Sequence, residues 1–184
     1  MGHYGGEITK DDIEGIFINI DALLPLSKRL VSELEEALEV WDEESTIGDV
    51  FVRIAPFMKI YNEFGMRYND AMATLNICNK NDIFVQLVQG VDATTSLSAR
   101  FESLLIAPIQ RIPRYTLLLE ELQKNTDKKH PDYHFLTQAI PLMEEVAEGI
   151  NETVKKADNQ LYIMNLPFKG AYVRYHIFSF SLCS

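Results

Sequence analysis

From residue 11 to residue 161 apolar side chains recur in steps of three and four, and no pair of alternating runs suggests paired strands. A helix buries a stripe that returns about every 3.6 residues, whereas a strand buries every second one, so this spacing predicts a helical chain. Thr9 or Asp11 is placed to cap a first helix in which Ile13, Ile16, Phe17, Ile20, Leu23 and Leu24 recur, with Pro25 expected to end or kink it. Leu30, Leu34, Ala37, Leu38 and Trp41 extend one apolar face as far as an acidic break, VWDEEST. A second long pattern runs from Thr46 through Phe51, Phe57, Tyr61 and Phe64, with Pro56 and Gly65 as expected bends. Asn79 to Asn81 read as a turn, IFVQLVQGV as a short helix and DATTSLS as a connection. His130-Pro131 marks the boundary before a last long helix from Tyr133 to about Leu161. The expected architecture is an all-α, elongated helical bundle. Residues 1–10 read as a flexible, glycine-rich leader, and residues 163–184 as a short β-prone or disordered tail.

Charge and cysteine usage narrow the partners. Acidic residues outnumber basic ones 27 to 17, giving a net charge of −10. Such a chain is poorly suited to nucleic acid or to an anionic membrane. Cys78 and Cys183 lie far apart and form no disulfide framework, which favours a reducing, cytoplasmic setting. His3, His130, His134 and His176 have no metal-ligand spacing, and the chain has neither a phosphate-cradling glycine loop nor a nucleophile elbow, so no metal, cofactor or bond-making chemistry is expected.

The stretch LLIAPIQRIPRYTLLLEELQKNT, residues 104–126, carries two arginines and two prolines within an apolar helix pattern. With Gln110 at zero and about 100° per residue, Ile109, Ile112, Tyr115, Thr116, Leu119 and Leu122 fall between about 120° and about 260°. That sector is the expected core. Gln110, Arg114, Leu117 and Glu121 form a separate stripe roughly opposite, and Arg111 and Leu118 sit together on one flank. An ordinary solvated face explains the polar members of that stripe, but two adjacent leucines off the core sector point to a surface that something covers. Pro108 reads as lying near the helix start, where a missing N–H is cheap. Pro113 removes the donor for the Ile109 carbonyl.

This stretch resembles the signature helix of the Dbl-homology domain, found in exchange factors for Rho-family small GTPases. The run PIQRIPRY followed by TLLLEEL and KNT is long and specific, and three other segments are similar in the family's order: IFINIDALLPLSKRLVSEL, IGDVFVRIAPFMKIYNEFGMRYNDAM and HPDYHFLTQAIPLMEEVAEGINE. The resemblance covers about residues 11–162. It implies an elongated bundle that docks on the switch regions of a Rho-family GTPase (Rho-, Rac- or Cdc42-like) and promotes GDP release, as a regulator of actin-cytoskeleton signalling rather than a bond-making enzyme. It implies GTPase contacts at Gln110 and Arg114 and at Asn151 in the last helix. Arg111, Leu117, Leu118 and Glu121 are the expected neighbours of that face.

The family's first helix, with its switch-gripping glutamate, is expected to be largely missing ahead of IFINI, and Glu7 is not a convincing substitute. LPFKGAYVRYHIF is placed where the family's pleckstrin-homology domain usually opens. The alternative expectation is therefore a non-catalytic GTPase-binding or scaffolding fragment. An apolar groove left uncovered beside Ile112, Leu119, Ile140 and Val146 is expected to support self-association. Recruitment to the membrane periphery would come from elsewhere.

Overall fold

The computed structural model describes residues 7–91 and 97–164 of the 184-residue chain. The 92–96 part of the expected connection and the 165–184 part of the tail lie outside the described residues. Among the described residues seven α-helices succeed one another: α1 (Lys10–Phe17), α2 (Ile20–Glu39), α3 (Gly48–Ile54), α4 (Ile60–Cys78), α5 (Asp82–Val91), α6 (Leu97–Lys124) and α7 (Pro131–Met164). A 3-10 segment, Ala55–Lys59, joins α3 to α4. No strand occurs among the described residues.

The 34-residue α7 is the spine, about 50 Å long at 1.5 Å per residue. It packs against α3, the 3-10 segment, α4 and α6. Its buried row, Leu136, Ala139, Met143, Val146, Ile150 and Val154, follows the three–four step of the sequence. Phe64, Tyr68 and Leu75 of α4 and Ile109, Ile112 and Leu119 of α6 close on it. Gly65 lies within α4, and a Cβ there would stand 2.9 Å from the Thr153 hydroxyl and 3.5 Å from Ile150, so the glycine lets α4 and α7 approach.

The start of α1 follows its sequence signals closely. Thr9 caps α1 through a reciprocal capping box with Asp12: the Asp12 N–H donates to the Thr9 hydroxyl oxygen (3.1 Å), and the Thr9 N–H donates to the Asp12 carboxylate (2.9 Å). The next break falls elsewhere than expected. Pro25 does not end the first helix, which stops at Phe17; the proline lies inside α2. The chain turns at Ile18 and Asn19, where Ile18 takes φ 57°, ψ −124°, a left-handed state that a β-branched residue rarely adopts. Ile13, Phe17 and Leu24 are also not core. Each is exposed, with Phe17 resting edge-on against Phe101 at 5.6 Å.

α2 is attached at its edge. Only Leu23 and Leu30 are buried, while Leu38 and Trp41, expected on the same face, are exposed. Its grip on α3 is ionic. Glu33 accepts from Arg29 (2.7 Å) and Arg53 (3.1 Å), and Arg53 also reaches Asp49. The hydrogen bond from Arg29, and to a lesser degree the one from Arg53, hold the Glu33 carboxyl below the usual carboxylate range. That contribution is present at neutral pH and disappears as pH falls through the lowered value.

α3 begins without a local cap. Ile47 precedes it and offers no side-chain acceptor. The acceptor comes from α7, 84 residues away, where the buried Asp132 carboxylate takes the Gly48 N–H at 2.7 Å. The Asp132 N–H in turn donates to His130 Nδ1 at 3.1 Å. Asp132→Ala leaves a buried donor unpaired and is expected to cost about 1–3 kcal/mol, read as a lowered denaturant midpoint, whereas Asp132→Asn should lose much less because its amide oxygen still accepts.

α6 runs as one helix through both prolines. Pro108 is not at its start: the helix begins at Leu97, eleven residues earlier (108 − 97). At the far end the signature supplies its own stop. The Asn125 amide donates to the Glu121 carbonyl (2.8 Å) and the Thr126 hydroxyl to the Leu122 carbonyl (2.7 Å). The groove expected beside Ile112, Leu119, Ile140 and Val146 is not open there. Ile112, Leu119 and Val146 are buried and Ile140 is half-buried. Exposed apolar side chains lie elsewhere, among them Leu24, Val31 and Leu38 of α2, one heptad apart.

Candidate functional site

α6 presents two faces that the sequence separates correctly. Ile109, Ile112, Thr116 and Leu119 are buried, with Ile112 at 0% and Leu119 at 2% exposure. Gln110, Arg111, Arg114, Leu117, Leu118 and Glu121 are all exposed, Leu117 at 62% and Leu118 at 66%. The core face is fixed by packing on α7, so the outward stripe follows from the helical period alone.

The exposed residues differ in what occupies them. Among the described residues Gln110 and Arg114 have no hydrogen-bond or ion-pair partner, so both heads are available. Glu121 is engaged within its own helix end, accepting from the Asn125 amide at 3.1 Å and lying 3.5 Å from Lys124 Nζ. Arg111 is held: its Nε donates to the Tyr115 hydroxyl at 3.0 Å and its guanidinium carbon lies 4.9 Å from that ring's centroid. The hydrogen bond to Tyr115 is the main reason that the Arg111 guanidinium is pushed above its ordinary range. The site thus carries a free cation and a free amide toward its N-terminal end, leucines in the middle and a self-paired carboxylate at the far end.

Asn151 reaches the same level of the bundle. The Gln123 amide of α6 donates to the Thr137 hydroxyl of α7 at 2.9 Å, which sets the antiparallel register. Thirteen residues back along α6 is Gln110, and fourteen forward along α7 is Asn151, so the rise of about 1.5 Å per residue puts the two amides at a common height. Asn151 is half-buried.

Three features were not singled out from the sequence. Leu104 is exposed six residues ahead of Gln110, where the stripe begins. Tyr115, read as plain core, is half-buried and anchors Arg111; the Arg–Tyr spacing of four was the available signal. The Thr116 hydroxyl is buried with no hydrogen-bond partner in the structure, and nothing in the sequence distinguishes it from a satisfied threonine. No cluster of three metal-ligating side chains occurs among the described residues, and no described helix is long and apolar enough to cross a membrane.

Removing the Leu118 side chain tests the division of faces. Leu118→Ala is expected to leave the thermal midpoint nearly unchanged, since the side chain is largely in water, yet to weaken partner binding by about 1–2 kcal/mol if the stripe docks. A large drop in stability would place Leu118 in the core instead.

The chain matches the model of the RhoGEF domain over residues 3–151. It is 31% identical over 160 residues to guanine exchange factor for Rac 30 of Dictyostelium discoideum, across 86% of this chain and 10% of that protein. It is 30% identical over 175 residues to human FYVE, RhoGEF and PH domain-containing protein 6, across 91% of this chain and 12% of that protein. The chain therefore spans about a tenth of the length of these curated relatives. Among solved structures, Vav1 bound to an allosteric inhibitor superposes with a TM-score of 0.76 at 25% identity, over 86% of this chain and 29% of that one. The DH domain of FARP2 superposes with a TM-score of 0.68 at 21% identity, over 86% of this chain and 79% of that one, and shows the fold.

Proposed function

The chain belongs to the RhoGEF-domain family, and from that premise we propose that it is a guanine-nucleotide exchange module that binds the switch regions of a Rho-family small GTPase and promotes GDP release. The observation that carries this reading is the α6 stripe. In a chain of net charge −10, Gln110, Arg114, Leu117 and Leu118 form an exposed row of amide, cation and apolar surface, with no partner among the described residues for its polar heads.

Exchange needs no bond chemistry from this chain. The nucleotide and its Mg²⁺ belong to the GTPase, and release follows if the exchange factor binds the nucleotide-free switch conformation more tightly than the loaded one. Arg114 supplies a charge-assisted hydrogen bond to a switch carboxylate or carbonyl. Gln110 and Asn151 each bring a donor and an acceptor, suited to backbone groups that the switches expose when the nucleotide leaves. Leu117 and Leu118 add apolar area at the centre of the contact.

The test is release of a fluorescent GDP analogue from Rac-, Rho- and Cdc42-type GTPases by the purified chain, paired with affinities for each GTPase with and without nucleotide. Acceleration for at least one GTPase, with tighter binding to its empty form, is the expected result. Binding without acceleration would leave a docking module only, and binding to none of them would remove the proposal.

A further inference from the structure

Arg111 and Arg114 stand less than a turn apart on one helix, yet only Arg111 is held in place. Its Nε donates to the Tyr115 hydroxyl at 3.0 Å, and its guanidinium lies over that ring at 4.9 Å. Tyr115 is itself fixed, because its ring meets Phe51 of α3 edge-on, 5.6 Å between centroids. Beside it the buried Tyr61 of α4 lies 3.2 Å, hydroxyl to hydroxyl, from Ser27 of α2. Burial pushes the Tyr61 hydroxyl up, and both Tyr115 and Arg111 act on it electrostatically, so these groups share one local field. Residues from four helices therefore converge behind a single exposed cation. A residue that served only to fill the core would not need its hydroxyl on an arginine.

We propose that Tyr115 is a positioning residue for partner docking, holding Arg111 so that its two terminal nitrogens receive a carboxylate of the GTPase end-on. The inference rests on the docking face proposed above. A guanidinium offers five N–H donors in a rigid fork. With Nε committed to Tyr115, the side-on approach that uses Nε and one terminal nitrogen is closed, and the edge carrying both terminal nitrogens is left to the partner. Because the side chain is already ordered, it gives up little further freedom on binding. Arg114, with no partner among the described residues, pays that cost in full, so the two arginines contribute differently to one contact.

The decisive measurement is a double-mutant cycle. Affinity for the nucleotide-free GTPase selected by the release panel is measured for the unmodified chain, Tyr115→Phe, Arg111→Ala and the double variant, with Arg114→Glu as a control and thermal midpoints throughout. Phenylalanine keeps the ring over Arg111 and the edge contact with Phe51, so the midpoint should hold. Loss of one hydrogen bond should weaken binding roughly three- to tenfold in the native background and not at all once Arg111 is alanine. An equal loss in both backgrounds would show that Tyr115 acts through the fold, and no loss in either would show that it does nothing for binding; both overturn the inference. If Arg114→Glu weakens binding while the cycle shows no coupling, the docking face stands and this inference alone falls. If neither arginine matters, the docking face falls and the inference with it.

Discussion

Replacing Gly48 by alanine is expected to lower stability by about 3–5 kcal/mol, a fall of roughly 6–20 °C in thermal midpoint for a chain of this size. A Cβ at this position would stand 2.5 Å from the Leu136 amide nitrogen and 2.7 Å from the Phe135 carbonyl carbon, both backbone atoms of α7. Neither can rotate away, so the start of α3 must retreat. Retreat also breaks the 2.7 Å bond from the Gly48 N–H to the buried Asp132 carboxylate, adding the cost of an orphaned polar pair. Gly15→Ala is the matched control. There the new methyl meets Thr74 at an ordinary 3.5 Å within α1, and alanine's better helix propensity, up to about 1 kcal/mol, should leave stability unchanged or raised. Thermal melts of the two variants side by side decide the matter: similar midpoints would mean that α3 and α7 do not meet as closely as the structure has them.

Arg114→Glu should weaken association with the nucleotide-free GTPase by about 2–5 kcal/mol, a factor of roughly thirty to several thousand in Kd. Two effects combine. The partner's acceptor loses its charge-assisted donor, and a carboxylate then faces whatever carboxylate or carbonyl the arginine served. The fold should not register the change, because Arg114 is exposed and has no partner among the described residues to lose. Isothermal titration alongside circular dichroism separates the two readouts. An unaltered Kd in a fully helical variant would remove Arg114 from the docking face.

The exposed and buried sides of α6 were legible in the sequence because one number, the helical period, governs them. Ile112 and Leu119 are buried and Gln110, Arg114, Leu117 and Leu118 are exposed, as the wheel requires. The periodicity also supports the assignment of an all-helical bundle, and α7 starts at Pro131, at the expected His130-Pro131 boundary and two residues before the expected Tyr133. What escaped was set by neighbours or by backbone states. Pro25 is accommodated inside α2, and the chain turns instead at Ile18, whose positive φ no side chain announces. Leu38 and Trp41 continue an apolar face in the sequence, but α2 ends at Glu39, before Trp41, and both side chains are exposed. Pro108 seemed cheap only because the helix's true start at Leu97 sits in a serine-containing stretch that reads as connection. Gly48 and Asp132 each look ordinary in their own segments, and their need for one another is visible only across 84 residues.

That last pairing has a kinetic meaning. Helices α1 and α4 can form from nearby residues, but α3 has no acceptor for its first amide until α7 arrives, nearly half the chain later. Closing so long a loop costs entropy before any contact repays it. The α3–α7 seam is therefore expected to close after the folding transition state, giving substitutions there φ-values near zero: they should speed unfolding while leaving the refolding rate almost untouched.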